Sequence, residues 1–206
     1  MSGPFGSSQT FFGDSGDFQI NHSLKFDGVT NSKIHITPSS AGSARIGTFS
    51  AWVKKLKQGA FQQVFAAGDA TTDTVELLFR NNDQILLTAA VGNAGKMQLK
   101  TNTKFRDCSG WYHLFFAIDT NQSTDTNRVK LYVNGVIQSD FETETYPDQN
   151  QDLDISQAVE HMLGVNVGNN NNLNGYMAEI NFIDGLALTP TSFGVTDETY
   201  GHWKPI

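Results

Sequence analysis

Aromatic rings and planar amides are the groups in this sequence whose chemistry could serve a binding site. Stacking on a pyranose face takes exposed aromatic rings, and holding its hydroxyls takes planar amides and other fixed polar groups. Tyr146, Tyr176 and Trp203, with the amide run Asn169, Asn170, Asn171 and Asn172, are the candidates for a glycan site. The competing assignment is structural, because sandwich aromatics are mostly core and asparagine runs are often turns. Cleaving a glycosidic bond takes more, namely two carboxyls flanking that bond. Glu142-Thr143-Glu144 is the nearest alternation of acids, and no third carboxylate follows at matching spacing. Nucleophilic catalysis needs a Ser or Cys on a sharp turn with a base in reach. Ser109-Gly110 beside Cys108 offers no such elbow, and His22, His35, His113, His161 and His202 lie apart. No Cys/His spacing suits zinc. His113, inside an apolar run, is read as a hydrogen-bonded core histidine. The expectation is a protein that binds and assembles, not an enzyme.

The elements that must position these residues are strands. From His22 onward, apolar and polar residues alternate with period two between turn signals, as in antiparallel strands with one buried face. Strands are predicted over 24–27, 34–36, 48–53, 61–67, 75–80, 84–91, 96–100, 129–133, 161–165 and 176–182. Residues 111–119 are apolar on both faces, which predicts a central strand covered on both sides. Asn134-Gly135 after Val129-Lys130-Leu131-Tyr132-Val133 predicts a type I′ hairpin returning through Val136-Ile137. The acidic stretch 141–154, with Pro147, reads as an exposed loop. Thr189-Pro190 offers an N-cap followed by proline, and at most one helical turn. About a dozen short strands without crossover helices give an all-β class, an antiparallel two-sheet jelly-roll sandwich.

Composition bounds the partners. The 206 residues carry 15 Phe and 38% hydrophobic residues, enough for one sandwich core. A formal net charge of −7 argues against nucleic acid. Lys54, Lys55 and Lys57 read as a solvated, aggregation-resistant strand end. No run is long and apolar enough for a membrane span. The lone Cys108 excludes an internal disulfide and suits folding in a reducing cytoplasm. Residues 1–10 show no basic and apolar signal regions, so a secretory signal is not expected. Residues 1–22 form a separate arm in which Gly and Ser alternate with Phe5, Phe11, Phe12 and Phe18. Flexible backbone bearing four apolar rings reads as an assembly anchor, docked on another chain or folded back on its own sandwich.

Four motifs in order, Ser23-Leu24-Lys25-Phe26-Asp27-Gly28, Phe49-Ser50-Ala51-Trp52-Val53, Gly110-Trp111-Tyr112-His113 and Leu131-Tyr132-Val133-Asn134-Gly135, are similar to the laminin-G-like branch of the concanavalin A-like lectin/glucanase superfamily. A fifth, Leu173-Asn174-Gly175-Tyr176-Met177-Ala178-Glu179-Ile180, resembles that branch's final strand, so the likeness spans about residues 23–194 and residues 23–206 are read as one domain. The glucanases of the superfamily carry Glu-x-Asp-x-Glu or a one-residue-longer variant, and neither is present. The resemblance implies calcium at the sandwich rim, with Asp69 and Asp73 as acidic ligands and the Asn169–Asn172 loop as the facing oxygen source. Ala178 stands where relatives often have Asp, which places a second calcium site near Asp27 in doubt.

A narrower likeness rests on the opening Met1-Ser2-Gly3-Pro4-Phe5-Gly6-Ser7-Ser8-Gln9, on Asn127-Arg128-Val129-Lys130-Leu131-Tyr132-Val133-Asn134-Gly135, on Tyr146-Pro147-Asp148-Gln149-Asn150 and on Phe182-Ile183-Asp184-Gly185-Leu186-Ala187-Leu188-Thr189-Pro190. These resemble laminin-G-like proteins of tailed phages of marine bacteria. That resemblance implies a virion component made in the host cytoplasm: a tail-fibre, appendage or head-decoration subunit. Its expected partners are other virion proteins through the N-terminal arm, copies of itself, and host glycans. A non-viral carbohydrate-binding module is the alternative, and a glucanase-like hydrolase ranks below both.

Overall fold

Period-two alternation becomes a sandwich when each strand turns its apolar positions to one side and its polar positions to the other. A computed structural model describes residues 22–29, 32–69 and 72–206; the arm with Phe5, Phe11, Phe12 and Phe18 lies outside the described residues. The strands are β1 (Leu24–Asp27), β2 (Ile34–Ile36), β3 (Ile46–Lys55), β4 (Gln62–Gly68), β5 (Thr74–Phe79), β6 (Gln84–Val91), β7 (Ala94–Lys104) and β8 (Tyr112–Asp119). They continue with β9 (Val129–Val133), β10 (Val136–Ile137), β11 (Phe141–Thr145), β12 (Glu160–Leu163), β13 (Asn174–Asp184), β14 (Gly194–Thr196) and β15 (Trp203–Pro205). One sheet has the order β1-β13-β3-β8-β9-β10 and the other β11-β7-β6-β5-β4-β12-β2, with β14-β15 as a small hairpin. All the pairings are antiparallel. The expected all-β, two-sheet class is the class observed.

Between the sheets lies one apolar slab. Phe49 and Val53 of β3, Leu114 and Phe116 of β8, Leu77 and Phe79 of β5 and Leu87 of β6 all belong to it. Phe49 stacks with Phe116 at 5.5 Å and meets Phe65 at 4.9 Å, so aromatic packing ties the two sheets at their centre.

The double-sided burial predicted for β8 has a visible cause. Leu114, Phe116 and Ile118 face the slab, whereas His113 and Phe115 face outward and are covered by Trp203 and Phe193 of the C-terminal segment. Trp203 Nε1 donates to His113 Nδ1 at 3.0 Å, which leaves Nε2 as the protonated nitrogen, donating to Ser50 Oγ at 2.8 Å. Burial pushes the His113 pKa down to about 4, so the ring is neutral and serves as a fastener, as expected of a core histidine.

The hairpin turn is also where expected, with Asn134 at φ 51° and Gly135 at φ 74°, both left-handed as a type I′ turn requires. A Cβ on Gly135 would sit 2.5 Å from the Trp203 ring. Gly135→Ala is therefore wrong in conformation and in space, and should lower unfolding stability by about 2–3 kcal/mol in urea titration.

Two readings are corrected. The first five residues of the acidic stretch form β11, which pairs with β7 through Phe141↔Thr101 and Thr143↔Lys100. Phe141 packs on the core, while Glu142 ion-pairs with Lys100 at 2.7 Å; charges on an edge strand discourage further pairing. Lys55 is not solvated. Its side chain is fully buried, 2.7 Å from Asp83 Oδ1 and 5.1 Å above the Phe79 ring. The residue alternates inward at the end of β3, and Asp83 waits there in a left-handed turn (φ 68°). The single turn at Pro190–Ser192 starts on proline as expected, although Thr189 makes no side-chain cap.

Candidate functional site

The outer faces of the two sheets differ. That of the six-stranded sheet is covered around β8 by the C-terminal segment described above. On the seven-stranded sheet, Val75, Leu77, Ile85, Leu87, Ala89, Met97 and Leu99 point into the core, so Glu76, Leu78, Leu86, Thr88, Gln98 and Lys100 point away from it. Register aligns Thr145, Gln98, Thr88, Glu76, Ala66, Met162 and His35 in one row across the sheet.

The middle of this row is polar. Gln98, Thr88 and Glu76 are each half-buried, and adjacent strands lie about 4.8 Å apart. Thr88 Oγ1 donates to the Met97 carbonyl at 2.9 Å. Burial alone pushes the Glu76 carboxyl up from the ordinary value. Lys100 flanks the row, and Glu142 accepts from it at 2.7 Å and from Gln84 Nε2 at 2.6 Å. Those two bonds hold the Glu142 carboxyl below its usual range.

The asparagine run borders this face. Val165 and Val167 pack on Ala66 and Met162, which lays the β12–β13 connection over the outer side of β4. Asn171 accepts from the Gln63 main-chain N–H at 2.6 Å, and Asn169 Oδ1 accepts from Lys33 Nζ at 2.6 Å. Asn170 is held in a turn by Asn166, whose Oδ1 accepts from the Asn170 N–H at 2.7 Å. Asn172 Oδ1 and Gln63 Oε1 are buried without a hydrogen-bond partner, two acceptors at the border of the polar row.

The three aromatic candidates are not brought together with that loop. Tyr146 follows the opposite edge strand, packs against the core and donates to Glu144 Oε1 at 2.8 Å; burial, then the Glu144 contact, raises its hydroxyl. Tyr176 lies on the other sheet, in register between Lys25 and Lys54. Trp203 is the cover of His113, and its N–H is already used there. Sequence reasoning missed Glu76, Thr88 and Gln98. Their only signal is a polar residue at alternate positions of three successive strands, a pattern that a solvated sheet face also gives.

The two elements of the expected calcium arrangement lie apart. The asparagine loop joins the start of β4 at Gln63, whereas Asp69 follows its end. Six residues of strand, about 20 Å, separate them. Asp69 Oδ1 accepts from the main chain of Thr72 and Asp73 at 2.8 and 3.1 Å, and its Oδ2 from the Thr72 hydroxyl at 3.0 Å. Asp73 Oδ1 accepts from the Gly92 N–H at 2.6 Å. Asp154 faces this turn; its carboxyl is raised first by burial and then by Asp73 and Asp69. Calcium takes six to eight oxygens, and among the described residues no three His, Cys, Asp or Glu side chains gather to hold a metal. Asp69 and Asp73 close this turn with main-chain hydrogen bonds.

Two facing antiparallel sheets with this strand order place the chain among lectin-like jelly rolls, and residues 27–192 match the laminin-G-like family described as the concanavalin A-like lectin/glucanases superfamily. The chain belongs to this superfamily. A comparison with curated proteins finds no match. Among solved structures, the lectin-like domain is similar to domain 4 of AbnA, a GH43 extracellular arabinanase from Geobacillus stearothermophilus, in complex with arabinotriose. That likeness has a TM-score of 0.60 at 21% identity over 82% of this chain and 73% of that one. It is similar to the CBM40 of the Ruminococcus gnavus IT-sialidase bound to α2,3-sialyllactose, with a TM-score of 0.58 at 14% identity over 82% and 93% of the two chains. The SAP-like pentraxin of Limulus polyphemus gives 0.57 at 15% identity over 82% and 78%.

Proposed function

We propose that this lectin-like domain is a non-catalytic glycan-binding module, and that its binding face is the polar row of the seven-stranded sheet bordered by the asparagine loop. The observation that carries this reading is the asymmetry of the sandwich. One outer face is covered around β8 by the chain's own C-terminal segment; the other presents a carboxylate, an amide and a hydroxyl in register. A carboxylate and an amide can each engage sugar hydroxyls, and the sheet holds them rigidly enough to select a pattern. The geometry argues against hydrolysis. Glu76 lies two strands from Glu160, roughly 10 Å or more, beyond the carboxyl spacing of glycoside hydrolases, and Glu160 is 2.9 Å from His35.

The test is a glycan array followed by calorimetry on the best ligand. Glu76→Gln should weaken binding at least tenfold and Gln98→Ala about three- to tenfold, since a hydrogen bond to a charged group contributes more than a neutral one. EDTA should leave affinity unchanged. Unaltered binding in Glu76→Gln and Gln98→Ala would move the site off this face.

Glu76→Gln also has a stability signature. A carboxyl whose folded pKa is raised favours the protonated form in the fold, so its cost is absent below the unfolded pKa and grows as pH rises through the folded one. The variant should melt higher than the parent at pH 7 and equal to it near pH 3. Greater stability with weaker binding is the pattern of a residue kept for function.

In the same reading the domain is displayed on a tailed-phage particle, and the Phe-bearing N-terminal segment attaches it to other virion proteins. The sequence likeness to phage proteins supports this, and immunogold labelling of particles tests it. A carbohydrate-binding module of a non-viral protein is the second reading, favoured by the fold likeness to the sialidase module; it predicts the same glycan behaviour and no label on particles.

A further inference from the structure

A recess opens on the flank of the sandwich, between edge strand β2 and the part of β13 beyond its pairing with β1. Its apolar part, about 290 Å³, is walled by Ile34 and Ile36 on one side and by Ile180 and Phe182 on the other. A hollow of about 230 Å³ adjoins it, walled by Ser40, Gly42, Ser156 and Asp184, and Pro38 and Phe182 line both parts. The order along one wall follows from the pleat. Ile180, Phe182 and Asp184 are alternate residues of β13, so their side chains leave the same side of the strand, and the four residues from the first to the last span about 13 Å. An apolar trough therefore ends on a carboxylate.

That end is built from fixed groups. The consecutive N–H groups of Gly42 and Ser43 donate to the Ser156 carbonyl at 2.7 Å and to Asp184 Oδ1 at 2.8 Å, which clamps Ser156 and Asp184 against one loop. Asp184 is exposed, and its Oδ2 accepts from no group among the described residues. Ser156 is 5% exposed, its Oγ is buried without a partner, and its backbone is left-handed at φ 58°, a conformation that costs a serine free energy. On the floor of the trough His161 is 7% exposed, and its Nδ1–H donates to the Val159 carbonyl at 2.9 Å. Nε2 is thus an acceptor, also buried without a partner, and such a group costs free energy until a donor arrives. Ile36, the cross-strand neighbour of His161, is 65% exposed, so the wall beside that nitrogen has room to rotate and admit one. Burial lowers the His161 pKa, which keeps the floor uncharged.

The unfilled groups are two acceptors and a hydroxyl, and the one carboxylate lining the recess is Asp184. Among the described residues no Lys or Arg lines either part. The complement of that set is an apolar body with a cationic head that only donates. We propose that the recess binds a small amphiphilic amine, its apolar body between Ile36 and Phe182 and its ammonium on Asp184 and Ser156. An ammonium carries three donors and no acceptor, so it fills Asp184 Oδ2 and Ser156 Oγ together. An anionic head would be repelled by the carboxylate, and a wholly apolar ligand would leave the serine unfilled. This inference is independent of the glycan reading, whose groups Glu76, Thr88 and Gln98 stand on other strands.

Titration of the full-length chain with 4-phenylbutylamine, followed through the methyl resonances of Ile34, Ile36 and Ile180, tests it. The amine should shift those methyls and bind about fivefold or more tighter than the neutral 4-phenylbutan-1-ol. Asp184→Asn keeps an oxygen for the Ser43 N–H, and it should weaken the amine about five- to tenfold while leaving the alcohol unchanged. Ile36→Ser should weaken both probes, and Glu76→Gln neither. An amine no tighter than the alcohol in the parent, or an amine affinity unmoved by Asp184→Asn, would overturn the proposal. So would failure to bind either probe; if that came with a dimer that Ile36→Ser abolishes, a second copy would be the occupant.

Discussion

Lys55→Ala is expected to cost about 3–5 kcal/mol of unfolding stability, the largest loss foreseen for a single side chain in this domain. The lysine is buried to 0% side-chain exposure and Asp83 to 8%, so removing the ammonium strands a carboxylate in a place that water reaches poorly. Arg106, 3.6 Å from Asp83 Oδ2 and largely exposed, is too solvated to replace it. A domain of this size should lose roughly 10 °C in melting temperature. The double change Lys55→Met with Asp83→Asn should recover much of the loss, because neither desolvated charge remains and asparagine tolerates the left-handed turn at this position. The pair also has a pH signature. Burial works to raise the Asp83 carboxyl, but the Lys55 hydrogen bond, the Gly59 N–H and the charges of Lys55 and Arg106 together hold it below the ordinary value. A depressed carboxyl contributes stability that is fully present above its unfolded pKa, about 3.9, and lost as pH falls through the folded one. Urea midpoints of the parent should therefore fall in acid below about pH 4, and those of the double variant should lack that component.

Lys55 also marks where the sequence stops being legible. Strands were readable because alternation is imposed by the pleat itself: Leu24 to Asp27, Gln84 to Val91 and the Asn134-Gly135 hairpin all follow from local pattern and turn chemistry. The two-sided burial of β8 was readable from its apolar run, yet not what would cover it, because Trp203 is 90 residues away and its segment is mostly polar. Lys55 sits in Lys54-Lys55-Leu56-Lys57, and only the distant Asp83 turns one of three lysines inward. β11 was hidden because acids on an edge strand look like acids in a loop. Of the site, the asparagine loop could be found from composition. Glu76 could not, since one Glu between Val75 and Leu77 is what any half-solvated strand shows; its meaning comes from register with Thr88 and Gln98, a property of the fold and not of any segment. The calcium expectation meets the same limit. Asp73 and the asparagine loop each suited the role, and the length of β4 holds them at opposite rims.

The C-terminal cover gives the second large effect. Trp203→Ala should cost about 3 kcal/mol, the range for deleting a packed aromatic side chain, and should act through His113 as well as through lost contact. Gly135 and Gly194 leave the room that the indole fills, with ring atoms 2.5 Å from where their Cβ atoms would stand, so no neighbour can move in to close the gap. Water then reaches His113, and its pKa should climb from about 4 towards the ordinary 6.5, visible as a shifted midpoint in the imidazole proton resonances. The sign of the linked effect follows. A histidine with a lowered folded pKa binds protons more readily when unfolded, so the parent loses stability as pH falls from about 6.5 to 4, by an amount on the order of 3 kcal/mol. Trp203→Ala should be weaker at pH 7 yet show a flatter decline over that window. If the imidazole midpoint stays near 4 in the variant, the indole does not seal this face, and the asymmetry that assigns binding to the opposite sheet loses its basis.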